Sequence, residues 1–233
     1  MEPVDRMTTA LRLRGLDIVH PFAVEATLDA LFPFPRFGRE ACLGLLIGNS
    51  RALWAPFRAW AAVEGAGRAD PLDDYVAASI ALALADTRAE VFFTQRRDYV
   101  AGSGVAAVPF QRLGRDIGFA ALGPAHLSVH PDFGPWFAFR AVVVLDAAPC
   151  PELARPGAKL EPCASCAMPC ATALETALRA SGTGGADRPL RAGIREHWRR
   201  WVAVRDACPE GRAHRYDETQ IGYHYTKDRA HLG

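Results

Sequence analysis

The stretch WFAFRAVVVL, Trp136 to Leu145, is the strongest strand signal in the chain. β-Branched and aromatic residues dominate it, and only Arg140 breaks their run. Just before it, His126 to His130 (HLSVH) reads as a short strand and Asp132-Phe133-Gly134 as a tight turn, so the two strands are expected to form a hairpin. Two other apolar runs bounded by turn signals, Cys42 to Gly48 (CLGLLIG) and Ala89 to Thr94 (AEVFFT), read as buried strands. Helical patterns lie between them. Thr8 to Arg14 is amphipathic, and Phe22 to Leu31 has Pro21 at its start and the prolines Pro33 and Pro35 at its end. Arg51 to Val63 carries Leu53, Trp54, Phe57 and Trp60 at helical spacing behind a capping Ser50. A helix opened by Asp70-Pro71 runs on to Leu84, and Val108 to Phe119 is a further candidate. Helices interleaved with strands and then a hairpin predict α+β layers.

Beyond Asp146 the composition changes. Pro149, Pro151, Pro156 and Pro162 mark an extended loop, and a helix is expected over Ala171 to Ala180. Ser181 to Gly185 reads as a flexible linker, and Leu190 to Val204 as a helix with Ile194, Trp198 and Trp201 on one side. The last stretch, Arg205 to Gly233, is polar and rich in His, Tyr and Arg. The expectation is a single domain over residues 1–233 with a Cys-rich loop at 149–171.

The chain has 233 residues, half of them apolar, which suffices for one large core. A formal net charge of +1 argues against a nucleic-acid partner, which calls for a basic excess. No apolar run is long enough to span a membrane, and Met1 to Arg14 is charged throughout, unlike a signal peptide. A cytoplasmic location is therefore expected, with the chain a monomer or homodimer.

Three of the six cysteines form the cluster Cys163-x2-Cys166-x3-Cys170. Two residues between thiolates let a turn aim both at one metal or cluster, with Cys150 or Cys208 as a fourth ligand. The other readings are thiol chemistry on a substrate and no role at all. In His130 to Phe137, a Gly-containing turn between aromatics could admit a flat ring, or it could be an ordinary capped hairpin. Arg140, inside an apolar strand, needs either a carboxylate of the protein or an anionic ligand. Trp198, Trp201 and Arg205 could share a helix face that holds a carboxylate, or the tryptophans could simply pack in the core. There is no Gly-rich phosphate loop, nucleophile elbow, zinc-protease motif or D-x-H-x-x-G cobalamin signature.

Several of these segments, in chain order, resemble the cobalamin-processing proteins of the CblC type. They are Gly15 to Phe22 with Val24, Leu43 to Ile47, Asp70-Pro71-Leu72-Asp73, Val129 to Leu145, and a C-terminal block. That block holds His197-Trp198-Arg199, Trp201, Arg205-Asp206-Ala207, Pro209, Arg215-Tyr216, Gln220, Tyr223, Arg229 and Leu232-Gly233. The resemblance implies a flavin-nitroreductase-like fold, an antiparallel sheet flanked by helices. It also implies base-off binding of cobalamin and removal of its upper axial ligand, by reductive decyanation or by dealkylation onto a thiol such as glutathione. On this resemblance Ser128, Val129, His130, Gly134, Pro135, Trp136, Phe137 and Trp201 would face cobalamin. Arg140, Arg205 and Arg229 would hold the carboxylates of the thiol substrate. Reduced flavin is one candidate electron donor for decyanation, and the sequence leaves the donor open.

The cysteine cluster is foreign to the animal members of that family. Together with the order of elements before it, it gives a distant likeness to epoxyqueuosine reductases and reductive dehalogenases, in which an iron–sulfur region follows a related cobalamin domain. Metal ligation is assigned to Cys163, Cys166 and Cys170. The competing functions are a cobalamin-dependent iron–sulfur reductase, a non-catalytic cobalamin carrier, and a flavin enzyme on the same fold.

Overall fold

A computed structural model describes residues 2–85, 87–94, 107–154, 160–182 and 190–233. The segment from residue 95 to 106, Pro156, and residues 183–185 of the expected linker lie outside these. The chain forms two compact units. One comprises residues 1–119 and 138–159, the other residues 120–137 and 160–233.

The first unit is built on a four-stranded antiparallel sheet of β1 (Ile18–Val24), β2 (Cys42–Asn49), β3 (Ala89–Phe93) and β6 (Ala138–Leu145), in the order β1-β2-β6-β3. The two apolar runs β2 and β6 take the centre. Every residue of β2 is buried, as a strand covered on both faces requires. Helices α1 (Glu2–Leu13), α2 (Trp54–Glu64), α3 (Pro71–Leu84) and α4 (Phe110–Asp116) accompany the sheet. Leu11, Leu16, Leu45, Leu46, Ile47, Leu53, Phe57, Leu72 and Ile80 form the fully buried centre. Each such side chain contributes about 2 kcal/mol of burial. The expected α+β class with an antiparallel sheet and helices is therefore observed.

Two local expectations are corrected. The helix expected from Phe22 to Leu31 is instead the end of β1 followed by a 3-10 turn at Ala26–Leu28. Pro21 sits within β1, opposite Leu45. An edge strand tolerates a residue without an N–H, so proline is no obstacle there. The hairpin is also different. The strand before the turn, β5 (Ser128–Val129), pairs with β4 (Ala121–Leu122), while β6 joins the large sheet. Only the His130–Gly134 bridge closes the turn itself. Ser50 does cap as expected: its Oγ accepts the Ala52 N–H at 3.2 Å, and Asp17 in turn accepts the Ser50 N–H at 2.8 Å.

The second unit holds β4, β5, α5 (Pro169–Ser181), α6 (Leu190–Glu196), α7 (Trp198–Asp206) and α8 (Glu218–Thr226). The helix expected over Leu190 to Val204 is broken at His197 into α6 and α7. Trp198 and Trp201 do not share a partner. Trp198 packs with Trp136, Val202, Tyr216 and Ile221, whereas Trp201 packs with Ala125, Cys170, Ala177 and Val204. Helix α7 is thus buried on two sides, a period that a single apolar stripe does not express.

Candidate functional site

All the site residues expected from sequence lie in the second unit except Arg140, which belongs to the first. The turn from His130 to Phe137 is tightly tied. The His130 N–H donates to the Gly134 carbonyl at 2.9 Å, and the Gly134 N–H donates back at 2.8 Å. His130 Nδ1 accepts the Asp132 N–H at 3.0 Å, which fixes the ring over the turn. Gly134 has φ +53°, and a Cβ there would collide with the Glu210 carbonyl. Gly211, at φ +68°, would collide with Phe133 in the same way. The close approach that Gly134 permits is therefore taken up by the chain's own backbone at Glu210–Gly211, and not left for a ligand.

Val129, Pro135, Trp136 and Phe137 are buried, and Ser128 and His130 are half-buried. The Trp136 ring is flanked by two guanidinium groups, with Arg205 Cζ 5.7 Å and Arg215 Cζ 5.4 Å from its centroid. Tyr216 meets it edge-on at 5.6 Å. Arg215 grips Asp206 through two nitrogens, at 2.7 and 3.2 Å, and reaches Glu218 at 2.7 Å. The hydrogen bonds it donates to Asp206 raise the Arg215 pKa further above its ordinary value. Arg205 differs. Its Nη1 donates to the Pro135 carbonyl at 2.7 Å, while its buried Nε has no hydrogen-bond partner among the described residues. Gln220 of α8 is fully buried, and neither atom of its amide finds a partner among the described residues. Such groups mark unused polar capacity. Trp201 donates its indole N–H to Ser181 Oγ at 2.9 Å, so its polar edge is engaged with α5. Arg229 is exposed in a terminal 3-10 turn.

In the first unit, Arg140 is the extra residue of a β-bulge. Ile47 pairs with Ala141 and Gly48 with Phe139, leaving Arg140 between them. Its Nε donates to Asn49 Oδ1 at 2.6 Å, and Asn49 Nδ2 donates to the Ser50 carbonyl at 2.7 Å. The buried charge thus meets a neutral amide and not a carboxylate in this contact. An open groove of about 650 Å³ runs beside the edge strand β1, lined in part by His20, Arg112 and Asp116. None of the site residues expected from sequence lines it, although His20, Pro21 and Phe22 of the segment Gly15 to Phe22 do. Burial lowers the His20 pKa below 6.5, partly offset by a backbone hydrogen bond at Ile117.

The cysteines of the second unit converge. Cys163, Cys166, Cys170 and Cys208 line one small pocket, whereas Cys150 is exposed and belongs to the first unit. All four lining thiols are free. Burial raises the Cys163 pKa, and so do Cys166, Cys170 and Glu210 beside it. Burial likewise raises Cys208, against a backbone hydrogen bond at Glu210. These two are thiols at neutral pH, not activated nucleophiles. As placed, no three His, Cys, Asp or Glu among the described residues stand in metal-holding geometry. The sequence spacing pointed to the first three cysteines. Cys208 lies too far along the chain for spacing alone to choose it over Cys150.

No family model and no curated protein matches the chain. Among solved structures it is similar to a crystal structure of a C. elegans B12-trafficking protein CblC, described as a human MMACHC homologue. The identity is 15%, the match covers 100% of this chain and 96% of that one, and the TM-score is 0.64. At that identity the likeness is one of fold, and it agrees with the nitroreductase-like α+β architecture expected from sequence. Among the described residues, no helix is long and apolar enough to cross a membrane.

Proposed function

We propose that this chain binds cobalamin in the base-off form and removes its upper axial ligand, by reductive decyanation or by thiol-dependent dealkylation. The observation that carries this reading is the full-length fold likeness to a B12-trafficking protein. The ordered sequence resemblance, strongest in the C-terminal block from His197 to Gly233, adds to it.

The residues of the second unit suit such a substrate in a specific way. Arg205 holds the turn through Pro135 and keeps a buried Nε–H in reserve, which a carboxylate could accept. A thiol peptide such as glutathione carries that group. Arg229, exposed in the second unit, and Arg140, anchored by Asn49 in the first, are each proposed as carboxylate-binding residues within their own unit. Ser128, His130 and Trp201, which keep partial exposure, are proposed to face the corrin, with Val129, Gly134, Pro135, Trp136 and Phe137 as the buried support behind them. Holding the thiol beside the upper axial carbon supplies catalysis by proximity, and no protein acid or base is required for alkyl transfer to sulfur. The raised pKa of Cys163 and Cys208 favours a thiol from solution over those two as the acceptor. For decyanation the electron donor is proposed to be reduced flavin.

An anaerobic visible-absorption titration with methylcobalamin, followed after glutathione is added, tests the reading. A shift of the cobalamin band to shorter wavelength and then conversion to reduced cobalamin are expected. A shift without conversion in the presence of several thiols would identify a carrier, and no shift at micromolar protein would remove cobalamin from consideration. Arg205→Ala should raise the KM for glutathione at least about tenfold, a larger loss than its effect on the methylcobalamin shift. Arg205→Lys should recover only part of the loss, because an ammonium cannot reproduce the guanidinium fork.

A further inference from the structure

Four cysteines from three separate parts of the second unit line one pocket, and cobalamin processing as proposed above makes no use of them. Cys163 and Cys166 lie on a tight turn in which the Cys166 N–H donates to the Cys163 carbonyl at 3.2 Å. The chain then passes through Met168 in the left-handed region, at φ +56°, and the Met168 N–H donates to Cys166 Sγ at 3.3 Å. An N–H aimed at sulfur stabilises the thiolate that a metal requires. Cys170 follows in the first turn of α5, after Pro169. Cys208 arrives just beyond the end of α7.

We infer that Cys163, Cys166, Cys170 and Cys208 form a four-thiolate site for a single tetrahedral, thiolate-preferring metal ion of the zinc class.

The free space at the pocket's centre is about 10 Å³, room for one water-sized atom, which suits a single ion. The ligand set is all sulfur, which selects zinc-class ions over magnesium or calcium. The thiols must draw inward to ligate, since they do not stand in metal geometry as placed. Cys163 and Cys166 lie on a loop before α5, outside any helix or strand. Binding one divalent ion converts four thiols to thiolates and releases four protons to solvent, with no change of oxidation state. The role that follows is structural: the ion would clamp the Cys loop and α5 to the end of α7.

Cobalt(II) substitution tests this without reference to cobalamin, so its outcome is independent of the proposed activity. Full-length protein, purified anaerobically with reductant and stripped by chelator, is titrated with cobalt(II) and then zinc(II). Expected are sulfur-to-cobalt charge-transfer bands and intense tetrahedral visible bands, saturating at about one equivalent and abolished by zinc. Cys166→Ser and Cys208→Ser should each weaken binding by at least about tenfold, whereas Cys150→Ser should titrate as the parent. Circular dichroism of the stripped variants separates loss of a ligand from loss of fold, and Cys166, the less buried of the two, serves if Cys208→Ser does not fold. Four outcomes would overturn the inference: only the weak spectrum of octahedral cobalt, a Cys208→Ser titration equal to the parent's, a brown protein carrying iron and sulfide in equal amounts, or thiol counts showing these cysteines paired as disulfides.

Discussion

Gly134 and Gly211 stand back to back, each in a positive-φ conformation and each with the other's peptide where its own Cβ would be. Alanine at either position adds left-handed strain to a backbone collision. Gly134→Ala and Gly211→Ala should each destabilise the fold by more than about 2 kcal/mol, read as a lower denaturation midpoint at unchanged slope. At Gly134 the sequence was legible as a turn, but the partner of that turn, about 75 residues further on, was not. Arg140 is similar. Its oddity in an apolar strand was plain, but a bulge shifts no residue type and so leaves no mark in a single sequence. His20 allows a pH prediction. Above pH 6.5 it is neutral folded and unfolded, and adds no pH dependence. Below that value the unfolded chain takes a proton that the half-buried ring resists, so stability falls until the folded ring also protonates. His20→Gln should flatten the stability profile in that window, as measured by urea denaturation at a series of pH values.

Among the elements, the strands at the sheet's centre were readable because burial on both faces leaves an unbroken apolar run, as in β2 and β6. The edge was not. β1 contains a proline that reads as a helix start, and only the pairing of Pro21 with Leu45 reveals an edge strand. β5 was read as a strand but given the wrong partner, since two residues carry no register information. The joint between α5 and α7 was hidden for another reason. It combines an apolar cluster, in which Trp201 packs against Cys170, Ala177 and Val204, with a hydrogen bond from the Trp201 indole N–H to the nearly fully buried Ser181. Trp201→Phe and Ser181→Ala should each cost about 1 kcal/mol, and the double variant less than the sum. Additive losses in a thermal-denaturation cycle would show that the bond contributes nothing.

For the molecule as a whole, neither compact unit is a continuous piece of chain. The polypeptide passes between them after residues 119, 137 and 159. Three passages tie the folding of each unit to the other, and we expect a single cooperative transition, in keeping with the one domain anticipated from length and composition. Trp54 and Trp60 report on the first unit and Trp136, Trp198 and Trp201 on the second. Variants retaining only one set should give coincident fluorescence transitions in urea. Separated midpoints would mean two independent domains.

The placement of residues 120–137 inside the first unit's sequence also sets a timetable for synthesis. β6 follows this insert directly and can complete the four-stranded sheet as soon as it leaves the ribosome. The insert, with Trp136 at its end, must wait for Tyr216 and the Glu210–Gly211 turn. At ordinary translation speeds that wait is roughly 4 to 15 s. During it the Trp136 indole is without the partners that bury it in the finished fold.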